Sequence, residues 1–149
     1  MDSVPQELIK QNRLDKVFLN IAKEVSTLSY CVRAKVGCVI VKNSNVISFG
    51  YNGTPSGMDN CCEETIDGKL VSKSEVLHAE SNAILKATKM GFSTDGATMY
   101  VTLSPCKDCA KLIIQAGIKK VVYSELFYRD NGSVEFLKQF IKVEKYEVQ

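Results

Sequence analysis

What this sequence lacks narrows it first. No apolar run approaches the roughly 20 residues that span a bilayer, so no membrane partner is expected. The opening stretch, Met1 to Lys10, is polar and shows no signal-peptide pattern. A cytoplasmic location is therefore expected. No internal repeat and no low-complexity stretch is present, which argues against solenoids and disordered tails. A surplus of basic charge is missing too. The net charge is +2, and Lys119-Lys120 is the one adjacent basic pair. A nucleic-acid binder carries a stronger basic footprint, so no polynucleotide partner is expected. Histidine is nearly absent: His78 stands alone.

What is present fits one compact domain, residues 1–149. At this length about 70% of the unfolded chain's surface can be buried, enough for a core without staples. The six cysteines are Cys31, Cys38, Cys61, Cys62, Cys106 and Cys109. With nothing marking secretion, metal binding or plain burial is expected of them rather than disulfides.

Apolar spacing predicts a helix over Pro5–Leu28. Val36–Val41 and Val46–Phe49 are short β-branched runs, and the turn-rich Asn43-Ser44-Asn45 between them makes a β-hairpin. Gly50–Leu77 is expected to be mostly loop and, at that length, functional. His78–Met90 has an alanine-rich helical stripe that Gly91 ends. Thr98–Leu103 is strand-like. Ser104-Pro105 suggests an N-cap and first turn, opening a helix over Cys106–Ala116. A strand at Lys120–Ser124, a short helix at Ser133–Ile141 and a last strand at Val143–Val148 complete the chain. Helices between strands imply parallel pairing. The fold class expected is α/β: one mixed sheet of about five strands covered by helices.

The chemistry concentrates in two places. Cys106-x-x-Cys109 puts two thiols on one side of a helix's first turn, where the helix N-terminus favours thiolate. Alone, this is equally a redox pair or two buried cysteines. His78-Ala79-Glu80 opens another helix. Read together they supply three ligands, His78, Cys106 and Cys109, the count of a catalytic zinc with a free fourth position. Glu80 is then the proton carrier rather than a ligand. The pattern H-x-E…P-C-x-x-C is that of zinc deaminases. A structural zinc closed by Cys61, Cys62 or an acidic residue is the alternative.

Beyond these motifs, Cys31-Val32-Arg33-Ala34-Lys35-Val36-Gly37, the loop Gly50-Tyr51-Asn52-Gly53-Thr54-Pro55-Ser56-Gly57 with Cys61, Cys62 and Glu63, and Ala110–Gly117 with Val121-Val122-Tyr123 resemble the deoxycytidylate deaminases. The likeness runs from about Leu28 to Tyr128. It implies a cytidine deaminase-like three-layer α/β/α fold. It also implies zinc-dependent hydrolysis of dCMP to dUMP and ammonia, feeding thymidine nucleotide synthesis. Another nucleobase substrate (cytidine, cytosine or a tRNA adenosine) and a non-catalytic zinc-stabilised module are the alternatives. Through the resemblance, Asn52 is expected at the sugar or base, with Ala79 at the pocket. Arg33, with Ser29, Lys35 or Tyr123, is expected at the 5′-phosphate. The family further implies a hexamer, activated by dCTP and inhibited by dTTP with Mg²⁺. That effector site would involve Gly50, Tyr51, Asn52, Gly53, Gly57 and Glu63, with Lys86 and Lys89 as further candidates. Some relatives carry an added structural zinc on another histidine. With one histidine here, that site is not expected. For Cys61 and Cys62, loop packing is expected, the alternative being a second metal site with Cys31.

Overall fold

The computed structural model describes residues 4–127 and 130–147. The ends of the expected domain, the expected last strand's Val148 and the resemblance's limit at Tyr128 lie outside them. The elements are α1 (Gln6–Ser26), β1 (Gly37–Lys42), β2 (Asn45–Tyr51), β3 (Glu63–Ile66), β4 (Lys69–Ser72), α2 (Ala79–Lys89), β5 (Thr98–Leu103), α3 (Lys107–Gln115), β6 (Lys120–Glu125), α4 (Ser133–Lys138) and β7 (Lys142–Lys145). Among the described residues, no helix is long and apolar enough to cross a membrane.

Five strands form one mixed sheet in the order β2-β1-β5-β6-β7. The β1–β2 hairpin turns on Asn43 and Ser44, both at positive φ (51° and 60°), the geometry of a tight two-residue turn. The two helical crossovers β5–α3–β6 and β6–α4–β7 give the expected parallel pairs. The crossover β2–α2–β5 differs. It carries the chain past β1, so β5 pairs antiparallel with β1 while running in the direction of β2.

Period-two alternation divides the core. Cys38, Ile40, Met99, Val101, Val121 and Tyr123 face Ala79, Ala83, Ala110, Ile113 and Leu137 of α2, α3 and α4. Val39, Val41, Tyr100 and Val122 face Phe18, Leu19 and Ala22 of α1. Helices therefore cover both faces, the expected three-layer α/β/α arrangement. One polar cluster pins α1: the buried Asp15 carboxylate accepts hydrogen bonds from Tyr100 Oη (2.6 Å) and Gln11 Nε2 (2.8 Å).

The expected loop Gly50–Leu77 needs correction, because it holds a second, two-stranded sheet, the β3–β4 hairpin. Asp67 and Gly68, both at positive φ, make its turn. The expectation for the cysteines is corrected as well: Cys31 and Cys62 form a disulfide across 31 residues, bringing the middle of the α1–β1 connection to the start of the hairpin. Ser104 is not the cap of α3. Cys106 occupies that position, while Ser104 Oγ accepts the Phe127 N–H at 2.7 Å.

Gly50 shows why α2 lies so close to the sheet. A Cβ at Gly50 would overlap the Ala79 carbonyl oxygen and approach Ala83 N to 2.5 Å. Both are helix backbone and cannot swing away. We expect Gly50→Ala to lower stability by about 1–3 kcal/mol through overpacking, read as a lower urea midpoint.

Candidate active site

Two helix starts meet beside the C-terminal end of β5. His78 is the N-cap of α2 and Cys106 the N-cap of α3, both in extended conformation and neither making a side-chain cap bond. Their side chains are thus free to turn toward each other. His78 Nδ1 lies 3.2 Å from Cys109 Sγ and 3.5 Å from Cys106 Sγ. Cys109 sits in the first turn of α3 and is buried. The Gly53–Leu77 backbone bridge just upstream fixes the approach to His78, and Asn82 Nδ2 donates to the Tyr51 carbonyl (2.8 Å), tying α2 to β2.

The donor set fits zinc. Two ligands at tetrahedral zinc, one nitrogen and one sulfur, stand about 3.6 Å apart, close to both observed separations. The three donor atoms lie within 4.8 Å of one another, and no fourth metal-type side chain joins them among the described residues. A closed four-ligand structural site is therefore not built here, and one coordination position stays open. Cys61 is exposed, with its Sγ on the Glu63 carbonyl at 3.3 Å. Cys31, Cys62 and Glu63 make a second cluster of metal-type groups, but its two sulfurs are bonded to each other, which removes them as ligands.

Electrostatics point the same way. A hydrogen bond from the Cys109 thiol, with another from His78, pulls Cys106 down to about 4 against the opposing cost of burial. Cys109 is pushed up, first by the hydrogen bond it donates to Cys106 and then by burial. Metal-free, the pair shares one proton. His78 is raised, chiefly by its bond to Cys106. Glu80, in the first turn of α2, is 4% exposed, and burial pushes its carboxyl up to about 7. A backbone hydrogen bond, the His78 charge and a Cys109 hydrogen bond pull the other way without offsetting burial, so at neutral pH it can both take and give a proton.

These groups open into a cavity of about 430 Å³. Of the residues expected at the site, Asn52, Arg33, Ala79, Glu80, His78, Cys106 and Glu63 line it. Asn52 also shapes its rim: Oδ1 accepts the Val36 N–H and Nδ2 donates to the Ala34 carbonyl, each at 2.8 Å. One Nδ2 proton and one Oδ1 lone pair remain for a ligand. Other residues lie elsewhere. Ser29 Oγ donates to the Asn52 carbonyl, and Lys35 Nζ to the Ser29 carbonyl at 2.6 Å, so both brace the rim from behind. Tyr123 packs in the core between sheet and helices. Among the effector candidates, Gly50 meets α2 as described. Tyr51 offers its carbonyl to Asn82, and Gly53 forms the bridge to Leu77. Gly57 turns at φ 91°. Lys86 Nζ stands over the Phe49 ring at 3.3 Å, a cation–π contact, and Lys89 is exposed on α2.

Sequence reasoning missed Ser72, Lys73 and Ser74, which line the same cavity. The one available signal was the Asp67-Gly68 turn pair in a polar stretch.

Comparison with known proteins places this geometry in context. The family model described as cytidine and deoxycytidylate deaminase zinc-binding region matches residues 12–125. A protein named deoxycytidylate deaminase from Enterobacteria phage T4 is 38% identical, with 87% of each chain covered. One of the same name from Saccharomyces cerevisiae is also 38% identical over 83% of this chain, which spans 41% of that longer protein. The crystal structure of dCMP deaminase from cyanophage S-TIM5 in complex with dCMP and dUMP superposes with a TM-score of 0.81. It is 41% identical and covers 96% of this chain and 99% of its own.

The thiolate at Cys106 is directly testable. After zinc is removed with a chelator, iodoacetamide should alkylate Cys106 at an undiminished thiolate fraction from pH 8 down to about pH 5, falling only as pH approaches the value of about 4 set by Cys109 and His78. Peptide mass mapping across pH reads the result.

Proposed function

We infer that this chain, which belongs to the cytidine and deoxycytidylate deaminase family, hydrolyses dCMP to dUMP and ammonia. One observation carries this: a buried, proton-exchanging Glu80 stands beside an open three-donor metal site, in a cavity that also holds the Arg33 side of the rim. The crystal structure of a relative with dCMP and dUMP supports the choice of substrate.

When bound by His78, Cys106 and Cys109, zinc supplies Lewis acidity that brings the pKa of a water down to about 7. The remaining work falls to the chain. Water adds its oxygen to C4 of the pyrimidine, and the C4–N bond breaks to release ammonia. Glu80 takes one proton from the attacking water and gives it to ring N3, then takes the second from the added C4 hydroxyl and gives it to the departing amino group, so it ends as it began. Its burial keeps it from being lost to solvent as a solvated carboxylate. The amide of Asn52 offers its remaining donor and acceptor to the sugar or base at the rim. Arg33 and Lys73 flank the same cavity with positive charge, fitted to a 5′-phosphate.

The family likeness extends the proposal. Activation by dCTP and inhibition by dTTP with Mg²⁺, a hexameric assembly and a place in thymidine nucleotide synthesis rest on the resemblance of the Gly50–Glu63 loop and its flanks. A cytoplasmic location is proposed on the same family likeness.

Glu80→Gln keeps the shape and removes the proton carrier. We expect it to retain one zinc per chain by metal analysis while kcat on dCMP falls by about 10²–10⁴-fold. Deoxycytidine assayed beside dCMP should show a much higher KM. Equal values would remove the phosphate from recognition. With Mg²⁺ present, dCTP and dTTP should shift the dCMP saturation curve in opposite directions, and a flat response to both would remove the effector site.

A further inference from the structure

The chain between Gly53 and Leu77 leaves the body and returns through a narrow neck. Gly53 N–H donates to the Leu77 carbonyl (3.0 Å) and Leu77 N–H to the Gly53 carbonyl (2.8 Å). Beyond the neck lies the β3–β4 hairpin, exposed along most of its length. A lone two-stranded hairpin is marginal in water at best, and no helix or strand of the main sheet packs broadly against this one. Its position must be set by a few fastenings.

Those fastenings all reach one short run, Cys31-Val32-Arg33. The Cys31–Cys62 disulfide is the first. The adjacent Glu63 is the second: its Oε2 accepts the backbone N–H of Val32 at 3.0 Å and of Arg33 at 3.1 Å. Arg33 Nη1 to Ser72 Oγ at 3.2 Å is the third. Cys31, Cys62 and Glu63 are buried, at 2%, 1% and 7% exposure, although the hairpin around them is not. On the cavity side, Cys31 and Arg33 form one part of the wall, and Glu63, Ser72 and Lys73 form the other. The fastenings thus fix the gap between the Arg33 and Lys73 cations.

We propose that the Cys31–Cys62 disulfide and the Glu63 carboxylate form a redox-reversible latch. The latch holds the β3–β4 hairpin against Arg33, and Glu63 acts as a positioning residue for substrate binding. The substrate part rests on the dCMP function proposed above. A disulfide can be opened by thiol exchange where a thiolate reaches one of its sulfurs, and Cys31 borders the cavity, the route by which a small dithiol would approach it. One thiolate of the dithiol attacks a disulfide sulfur, the Cys31–Cys62 bond breaks and a mixed disulfide forms. The dithiol's second thiol closes on that intermediate. The reagent leaves as a cyclic disulfide, and Cys31 and Cys62 keep two electrons and two protons as thiols.

Reducing the disulfide leaves Glu63 and the Arg33–Ser72 bond alone against the hairpin's tendency to stray. A hairpin in place about a tenth of the time weakens apparent substrate affinity about tenfold. The metal donors and Glu80 are carried by the starts of α2 and α3 and not by the hairpin or the Cys31–Arg33 run, so turnover of bound substrate is unaffected.

The test uses the zinc-loaded protein, oxidised and after reduction with dithiothreitol in zinc-containing buffer, beside Cys62→Ser, Glu63→Ala, Glu63→Gln and Cys61→Ser. Zinc content, kcat and KM for dCMP are measured, with amide hydrogen exchange of residues 63–72. Reduction and Cys62→Ser should each raise KM about tenfold with kcat within about twofold, and should speed exchange in the hairpin but not in α2. Reoxidation should restore the wild type and not Cys62→Ser. Glu63→Ala should act like Cys62→Ser, Glu63→Gln should recover part of the loss, and Cys61→Ser should behave as wild type. Unchanged KM and exchange on reduction overturn the latch. So does a joint fall of kcat and zinc content in Cys62→Ser, which would place the disulfide's effect at the metal. If the oxidised wild type forms no dUMP, the substrate reading fails, and hairpin exchange alone then decides the latch.

Discussion

Three side chains that each seek a cation, His78 Nδ1 and the two sulfurs of Cys106 and Cys109, are held within bonding reach of one point by two helix N-termini. Without a cation the arrangement is frustrated, because two thiols and an imidazole must share protons in a half-buried place. One thiol is driven toward thiolate and the other away from it. A divalent cation lets both sulfurs ionise. The positive ends of both helices then favour the same thiolates. Much of the surrounding structure serves this convergence. Gly50 lets α2 lie against β2. Asn82 ties the helix to the Tyr51 carbonyl. Ser104 gives up a capping role to hold the Phe127 backbone, leaving Cys106 to start α3.

The cavity therefore has a floor and a wall of different mechanical character. The floor is built on helices packed into the main core, with Ala79 and Ala83 fully buried against the sheet. Its geometry is set by dense packing, which tolerates little displacement. The wall is a hairpin that buries almost no apolar surface and depends on one covalent bond and a few hydrogen bonds. Such a segment belongs to the low-stability end of a structure, where binding loops are found.

The same contrast explains what the sequence revealed. The floor was legible because its residues lie in short motifs, His78-Ala79-Glu80 and Cys106-x-x-Cys109, at helix starts marked by neighbouring strands. The main sheet was legible through β-branched runs. The wall was not. Glu63-Glu64-Thr65-Ile66 and Lys69-Leu70-Val71-Ser72 carry no clean apolar alternation, because neither face of this hairpin is buried in a core. Periodicity reports burial, and where burial is absent the signal fails. The Cys31–Cys62 pairing depends on two segments 31 residues apart meeting in space, which spacing along the chain does not encode. Tyr123 misled for a related reason. It lies in a matched motif, yet alternation along β6 sends it to the core with Val121. Ser29 and Lys35 do not line the cavity: their hydrogen bonds go to the backbone carbonyls of Asn52 and Ser29, behind the rim.

The separation of floor from wall has a kinetic consequence. Deamination changes the ring at C4 and leaves the 5′-phosphate untouched. A grip on the phosphate is therefore as strong in the substrate complex as in the transition state, and such uniform binding lowers KM without raising kcat. In the proposed reaction, interactions that strengthen only as the C4–N bond breaks belong to the floor, where Glu80 would move protons beside the metal donors. A wall that shifts changes how often substrate is held, not how fast held substrate reacts. A protein built this way can adjust its affinity through a marginal hairpin while its chemistry stays fixed by a packed core. The buried disulfide stands at the joint between the two, with Cys31 facing the cavity and Cys62 leading directly into Glu63.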